Sequence, residues 1–280
     1  RDFCLSRGLG DVYKRQIPER VLEICRIISL KKAISEKELI AIFEPPFLVG
    51  SSQSIFSHVK EAAFELKLIK ENDEGNFELA VDKNVLKNYD TFRRYCNSVM
   101  YEDTNIAYFR IAQCIVDSND ELFSCGSFTS SQTIKTYIYK HSGIDPEPKR
   151  TMEGIRFWIS FSGLGYIQDS SSPSEDKVYL PNAYVALKDF IVLSEIEKMH
   201  EYTVHEFVDK IYKYANILLH NALETQTFNL AMSNALRQLH DNKEIELIHR
   251  LDSAEVWNLF ENESHSVVKK ITHIKYKGVK

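Results

Sequence analysis

The sequence has little of what usually announces an activity. Its 280 residues contain five cysteines, with no Cys-x-x-Cys pair and no regular spacing, so neither a disulfide framework nor a zinc site is indicated. Free thiols in a reducing compartment are the expectation, which places the chain in the cytoplasm. No uninterrupted apolar run approaches the ~18 residues of a spanning helix. The longest, Ile106 to Val116, is broken by Arg110 and Gln113, so no membrane partner is expected. P-loop, GxGxxG, GxSxG and HExxH motifs are all missing. An excess of positive charge is missing too: 35 Lys and Arg stand against 40 Asp and Glu, a net charge of −5. What is present is ordinary for a soluble globular protein, 44% apolar and 27% charged, which excludes a wholly disordered or collagen-like chain. The length suggests two or three domains.

Residues 1–16 stand apart. Asp11 to Gln16 read as a translation of GAT-GTG-TAT-AAG-AGA-CAG, which resembles the transposase mosaic end used in sequencing libraries. This segment is expected to be adapter-derived rather than evolved protein, with the natural start lost behind it. Without it, residues 17–280 carry a net charge of −7.

The rest alternates helix-period stretches with short strand-like pieces. Pro18 opens a first helix, where its missing N–H costs little, and Val21, Leu22, Ile24, Cys25 and Ile28 form its apolar face. Ser35 and Glu38 have capping-box spacing for a second helix through Leu39, Ile40 and Phe43, which Pro45-Pro46 ends. Ser52 or Ser54 opens a third, with Ile55, Val59, Ala62, Ala63 and Leu66 on one side. Leu68 to Glu71, the polar turn Asn72 to Gly75, and Phe77 to Leu79 then predict a hairpin. Three helices closed by a hairpin are the winged-helix plan.

The ending recurs. A helix stops at Gly163, Leu164 to Gln168 begin a strand, and Val178 to Leu180 return. A further helix stops at Asp241-Asn242, Glu244 to Arg250 continue as a strand, and Val267 to Tyr276 are its returning partner. Leu251 to Asn262 between them is expected to be helical. These matched endings predict an internal repeat of about 75–100 residues. The expected fold is mainly α with small β-hairpins (α+β): winged-helix-like domains over 17–90, 105–181 and, in an atypical form with a basic C-terminal strand, 203–280, joined by helical linkers over 91–104 and 182–202. The aromatic stripe Phe157, Trp158, Phe161 and Tyr166 is expected in the core, as are Cys25, Cys96, Cys114 and Cys125.

In winged-helix proteins the third helix usually enters the major groove. The corresponding positions carry Ser51 to Ser54, His58 and Lys60 in the first unit and Lys149, Arg150 and Arg156 in the second. In the third they carry Asn229, Asn234, Arg237 and Gln238. Charge argues against a dedicated duplex binder, which shows a basic footprint: residues 17–90 are net −3, 105–180 net −2 and 203–280 neutral. The turn Asn72 to Gly75 is acidic. Lys269, Lys270, Lys275, Lys277 and Lys280 form the one clear basic cluster. The candidate DNA contacts are therefore Arg150, Arg156, Arg237, Lys269 and Lys270. No catalytic residue, metal or cofactor is expected; Asp145 to Lys149 faintly resembles the acid–lysine piece of a nuclease core, but its two prolines disfavour the strand that core needs.

Two segments carry a family resemblance. Pro18 to Leu22 through Phe43 to Pro46, with the helix leading to Leu68-Ile69, resembles the opening unit of the DpdG family. Phe228 to His240, followed by Ile245 to Asp252 and Ile271 to Ile274, is similar to that family's C-terminal part. The family belongs to bacterial Dpd gene clusters, which place 7-deazaguanine derivatives in DNA and restrict DNA lacking them. The resemblance implies a non-catalytic accessory subunit of the restriction side, a phage defence, docking other proteins of the cluster and, at its basic positions, double-stranded DNA. The alternative is a stand-alone winged-helix transcription regulator.

Overall fold

The computed structural model describes residues 17–45, 54–122, 132–146, 149–168, 178–261 and 269–278. The chain is mainly helical with small antiparallel sheets. Helix α1 (Pro18–Lys31) buries Val21, Leu22, Ile24, Cys25 and Ile28, the face its spacing predicts. Strand β1 (Ala33–Ile34) follows, then α2 (Glu36–Phe43), where the Ser35 hydroxyl accepts from the Glu38 amide at 3.3 Å. Helix α3 (Ser54–Glu65) leads into β2 (Ile69–Glu71) and β3 (Phe77–Leu79). Strand β3 lies between β1 and β2, with Ile34 opposite Phe77 and Ile69 opposite Leu79. Gly75 makes the reversal at φ +75°, a conformation open to glycine at no steric cost.

A short 3₁₀ turn (Lys83–Leu86) precedes α4 (Tyr89–Val99), which Asn88 and Thr91 cap reciprocally. Helices α5 (Ala107–Asp117), α6 (Gln132–Ser142) and α7 (Lys149–Ser162) are closed by β4 (Gly165–Gln168) and β5 (Val178–Pro181), with Gly165 opposite Pro181. Helix α8 (Tyr184–Leu193) comes next, then β6 (Glu201–Thr203) and α9 (Val204–Leu219), which opens on a Thr203–Glu206 capping box. A single turn α10 (Ala222–Thr225) leads to α11 (Leu230–Asp241), β7 (Ile245–Ile248) and β10 (His273–Tyr276). Between the last two, β8 (Trp257–Asn258) pairs with β9 (Lys270–Ile271) as a short two-stranded arm packed on the body through Trp257 and Ile271.

Strand β10 lies between β6 and β7. The first and third units therefore share one chain path: helix, short strand, two further helices, then two strands, the last of them central. The stretch 182–202, expected to be a helical linker, supplies the first helix and first strand of that path, and α8 packs on α9 and α11. Leu251–Asn262 differs from expectation: its described residues hold a turn and β8, not a helix. The reason is tertiary. The Trp257 ring stacks on Phe228 at 5.1 Å between centroids, and the Asn258 backbone bonds to Gln226 and Phe228.

The buried apolar side chains form one cluster running from Val21 to Tyr276, so the units share a core rather than hanging on tethers. Helix α4 sits at the junction, against α7, α8 and the 3₁₀ turn. Gly163 fixes the junction of α7 with α8. Its φ is +75°, and a Cβ there would lie 2.6 Å from the Val185 Cβ and 2.8 Å from the Ala186 nitrogen. The Ala186 amide donates to its carbonyl at 3.3 Å. Cys25, Cys96 and Cys114 are buried free thiols. The aromatic stripe is split, which corrects the sequence expectation: Trp158 and Phe161 are buried, whereas Phe157 and Tyr166 are 39% and 44% exposed. Cys125 lies outside the described residues.

Candidate functional site

In the first unit the outer face of α3 presents little free positive charge. Lys60 is paired with Glu36 and lies 5.5 Å and 5.6 Å from the Phe56 and Phe77 ring centroids. His58 stands 3.7 Å from Glu61. The hairpin tip is held by Asn72, whose side-chain oxygen accepts from the Glu74 and Asn76 amides, and it leaves Asp73 and Glu74 exposed. Such a surface repels a phosphate backbone. Ser51, Ser52 and Gln53 lie outside the described residues, as does the Ser54 side chain.

The five candidate DNA contacts fall in different environments. Arg150 lies in the first turn of α7, its side chain outside the description. Arg156 is partly buried, its guanidinium 4.6 Å from the Phe157 ring centroid. Arg237 is 3% exposed and donates from Nη2 to the Phe260 carbonyl at 2.7 Å; burial lowers its pKa. That corrects its expected place on an outward face. Its neighbours also turn inward. Asn229 caps α11 and donates to the Leu218 carbonyl and Asp117, Asn234 donates to the Pro181 carbonyl, and Gln238 accepts from Asn182. Lys269 and Lys270 are exposed at the arm, with Lys269 3.2 Å from Glu261. The structure therefore does not bring the five together.

Two depressions were not anticipated. A charged crevice of about 410 Å³ lies where α4 crosses α8. Its floor is Asp189, 1% exposed, which accepts from Arg93 Nε at 2.8 Å, Arg93 Nη2 and Arg94 Nε at 3.3 Å, and Asn97 Nδ2 at 3.0 Å. Lys188 at its wall donates to Glu244 at 3.1 Å and to the Tyr184 hydroxyl at 3.3 Å. The second is an apolar cavity of about 240 Å³ between the end of α3, the end of α4, the start of α5 and α7. Leu66, Val99, Met100, Ile106 and Trp158 line it, with Glu65, Lys67, Glu102 and Asp103 also at its walls. The sequence signal for the first was an acid alone in the apolar run of α8, whose neighbours Leu187, Phe190 and Ile191 are all core. The second had no local signal, because four separate segments meet there.

No group of three or more His, Cys, Asp or Glu residues able to hold a metal occurs among the described residues. No helix among them is long and apolar enough to cross a membrane. Comparison with the curated proteins and with the solved structures gives no match. A family model does match, the one described as DpdG-like, over residues 12–253. The match spans most of the 280-residue sequence, from before α1 to just after β7, and the chain belongs to the DpdG-like family.

Proposed function

We propose that this chain is a non-catalytic accessory subunit of the Dpd DNA-modification-dependent restriction system, a cytoplasmic scaffold built from tandem winged-helix-like units. The shared chain path of the first and third units supports the winged-helix reading. Each has a central last strand with the short early strand added at its edge, the order that lets a hairpin close a helical trio. The third unit then begins at Tyr184, and the middle unit is a reduced version with the hairpin alone among its described residues.

The observation that carries the docking role is the burial of α11. This helix stands where a winged-helix DNA reader presents base-reading side chains, yet Asn229, Asn234, Arg237 and Gln238 all bond within the protein. A helix occupied on every side by its own chain does not enter a groove, which leaves protein docking as the better reading of these units. DNA contact is then confined to Arg150, Arg156, Lys269 and Lys270, and is weak and indifferent to sequence.

The test is co-expression of the chain with the other proteins of its gene cluster, alongside duplex binding by the isolated chain over a salt series. The expected result is co-purification with a cluster protein, with weak duplex binding that falls further in Lys269→Glu/Lys270→Glu. A dimer that binds one operator tightly on its own, with no cluster partner, supports the transcription-regulator alternative and overturns this reading.

A further inference from the structure

The apolar cavity between α3, α4, α5 and α7 has the wrong charge to be only a packing gap. Its walls are greasy: Leu66, Met100 and Trp158 are almost fully buried. Its mouth is acidic. Lys67 is paired with Glu102, which leaves Glu65 and Asp103 unbalanced. Asp103 spends one oxygen on the Asn105 amide at 2.9 Å. The Glu65 carboxyl has neither a hydrogen bond nor an ion pair among the described residues.

The backbone holds this mouth in place. Lys67 adopts φ +54°, which ends α3 in a left-handed turn, and the Tyr95 hydroxyl on α4 donates to its carbonyl at 3.1 Å. The Leu68 amide reaches back to the Ala63 carbonyl at 2.9 Å. Glu65 is therefore set at the rim by a rigid helix end.

We infer that this cavity is a socket for one basic side chain of a partner protein, an arginine or lysine whose apolar stem lies along Leu66, Met100 and Trp158 and whose cation meets Glu65. Size selects a side chain over a metabolite. About 240 Å³ falls below the roughly 300–1,000 Å³ of usual small-molecule pockets, and a single anchored residue is how a partner commonly spends its binding energy. Charge selects a base over an apolar anchor, and long basic side chains bury their stems while keeping the charge at the edge. Glu65 is exposed at the rim; partial desolvation against the apolar wall, with Glu61 nearby on the same helix, pushes its carboxyl up to about 7, and no counter-charge among the described residues offsets it. Among the described residues lining the cavity, Lys67, Glu102 and Asp103 are the other charged groups, with Glu61 one turn back on α3, and of these Lys67 is the positive one.

This inference rests on the docking role proposed above, but its test needs no cluster protein. Seven-residue peptides displayed on phage are selected on the full chain, on Glu65→Gln and on Glu74→Gln at the first hairpin tip, with folding of each checked by circular dichroism. The expected result is enrichment of Arg or Lys at one position on the wild type and on Glu74→Gln, lost on Glu65→Gln. A selected peptide made synthetically then binds Glu65→Gln about tenfold or more weakly, the size of one charge-assisted hydrogen bond. Replacing its basic residue by citrulline weakens wild-type binding equally and adds little on Glu65→Gln. No enrichment, enrichment of uncharged peptides, or equal enrichment on Glu65→Gln overturns the socket. Binding of phenylethylammonium but of no peptide overturns the choice of occupant. Failure here with co-purification intact leaves the scaffold role standing, and the reverse result separates the two the other way.

Discussion

Removing the Asp189 carboxylate should loosen the crossing of α4 and α8, and the size of the effect follows from what it holds. Four hydrogen bonds from three side chains end on it, and it is 1% exposed. Arg93, with its side chain 12% exposed, keeps only Asp90 at 2.6 Å in the Asp189→Ala variant, and Asp90 is 71% exposed. Breaking one side of a buried pair costs about 3–5 kcal/mol, because the surviving charge stays out of water. Arg94 is more open at 38% and adds little once solvent screening is counted. We expect Asp189→Ala to lower stability by about 3–4 kcal/mol, a large part of the roughly 5–15 kcal/mol of an ordinary domain. Asp189→Asn keeps the volume and should cost less. Urea unfolding followed by circular dichroism and by tryptophan emission measures it, and the single continuous core predicts coincident curves. Arg93→Ala made on top of Asp189→Ala should add far less than Arg93→Ala alone. A loss below about 1 kcal/mol, or strict additivity of the two substitutions, would refute the view that this buried pair holds the junction.

Three other outcomes follow from the geometry. Glu65 retains its proton in the native chain up to about pH 7 while the unfolded chain releases it near the ordinary 4.5. The native state binds the extra proton between those values, so its contribution to stability falls as pH rises through that window. Glu65→Gln should therefore melt like the wild type at pH 4 and above it at pH 8, by under about 1 kcal/mol because the site is partly solvated. Gly163→Ala meets both a φ of +75° and backbone at 2.8 Å and should cost about 2 kcal/mol or more in thermal or urea melts. Arg237→Ala removes a charged donor from the Phe260 carbonyl and should lower stability by about 1.5–3 kcal/mol, while duplex affinity per folded molecule stays unchanged in a binding titration.

The parts of the fold legible in the sequence were those whose signal is local. The apolar spacing of α1, the Ser35 cap, the polar turn ending at Gly75 and the stop at Gly163 each state their structure within a few residues. Strands β1 and β6 were missed because two or three residues show no period. They become strands only when β3 and β10 arrive from far along the chain to pair with them. The stretch after Leu251 was misread for a related reason: its apolar residues suit a helix, but Trp257 finds Phe228 and the backbone finds Gln226, and those contacts override local preference.

The candidate DNA residues expose a deeper limit. Their choice treated polar side chains on a third helix as outward-facing, a sound prior for an isolated unit. Here the units share one core, and sharing reverses the prior. Helix α11 meets α5, α8 and β5, so the polar face that would read DNA in a lone domain becomes the face that bonds neighbouring segments. Asn234 reaches Pro181, Gln238 reaches Asn182, and Arg237 reaches Phe260. Each bond is part-buried, and breaking one to free the side chain costs on the order of 1 kcal/mol or more. Those side chains cannot swing out to a duplex without incurring that penalty several times over. If the chain docks partners, as proposed above, it does so away from α11, and the open acidic mouth beside α3 has room for such a contact.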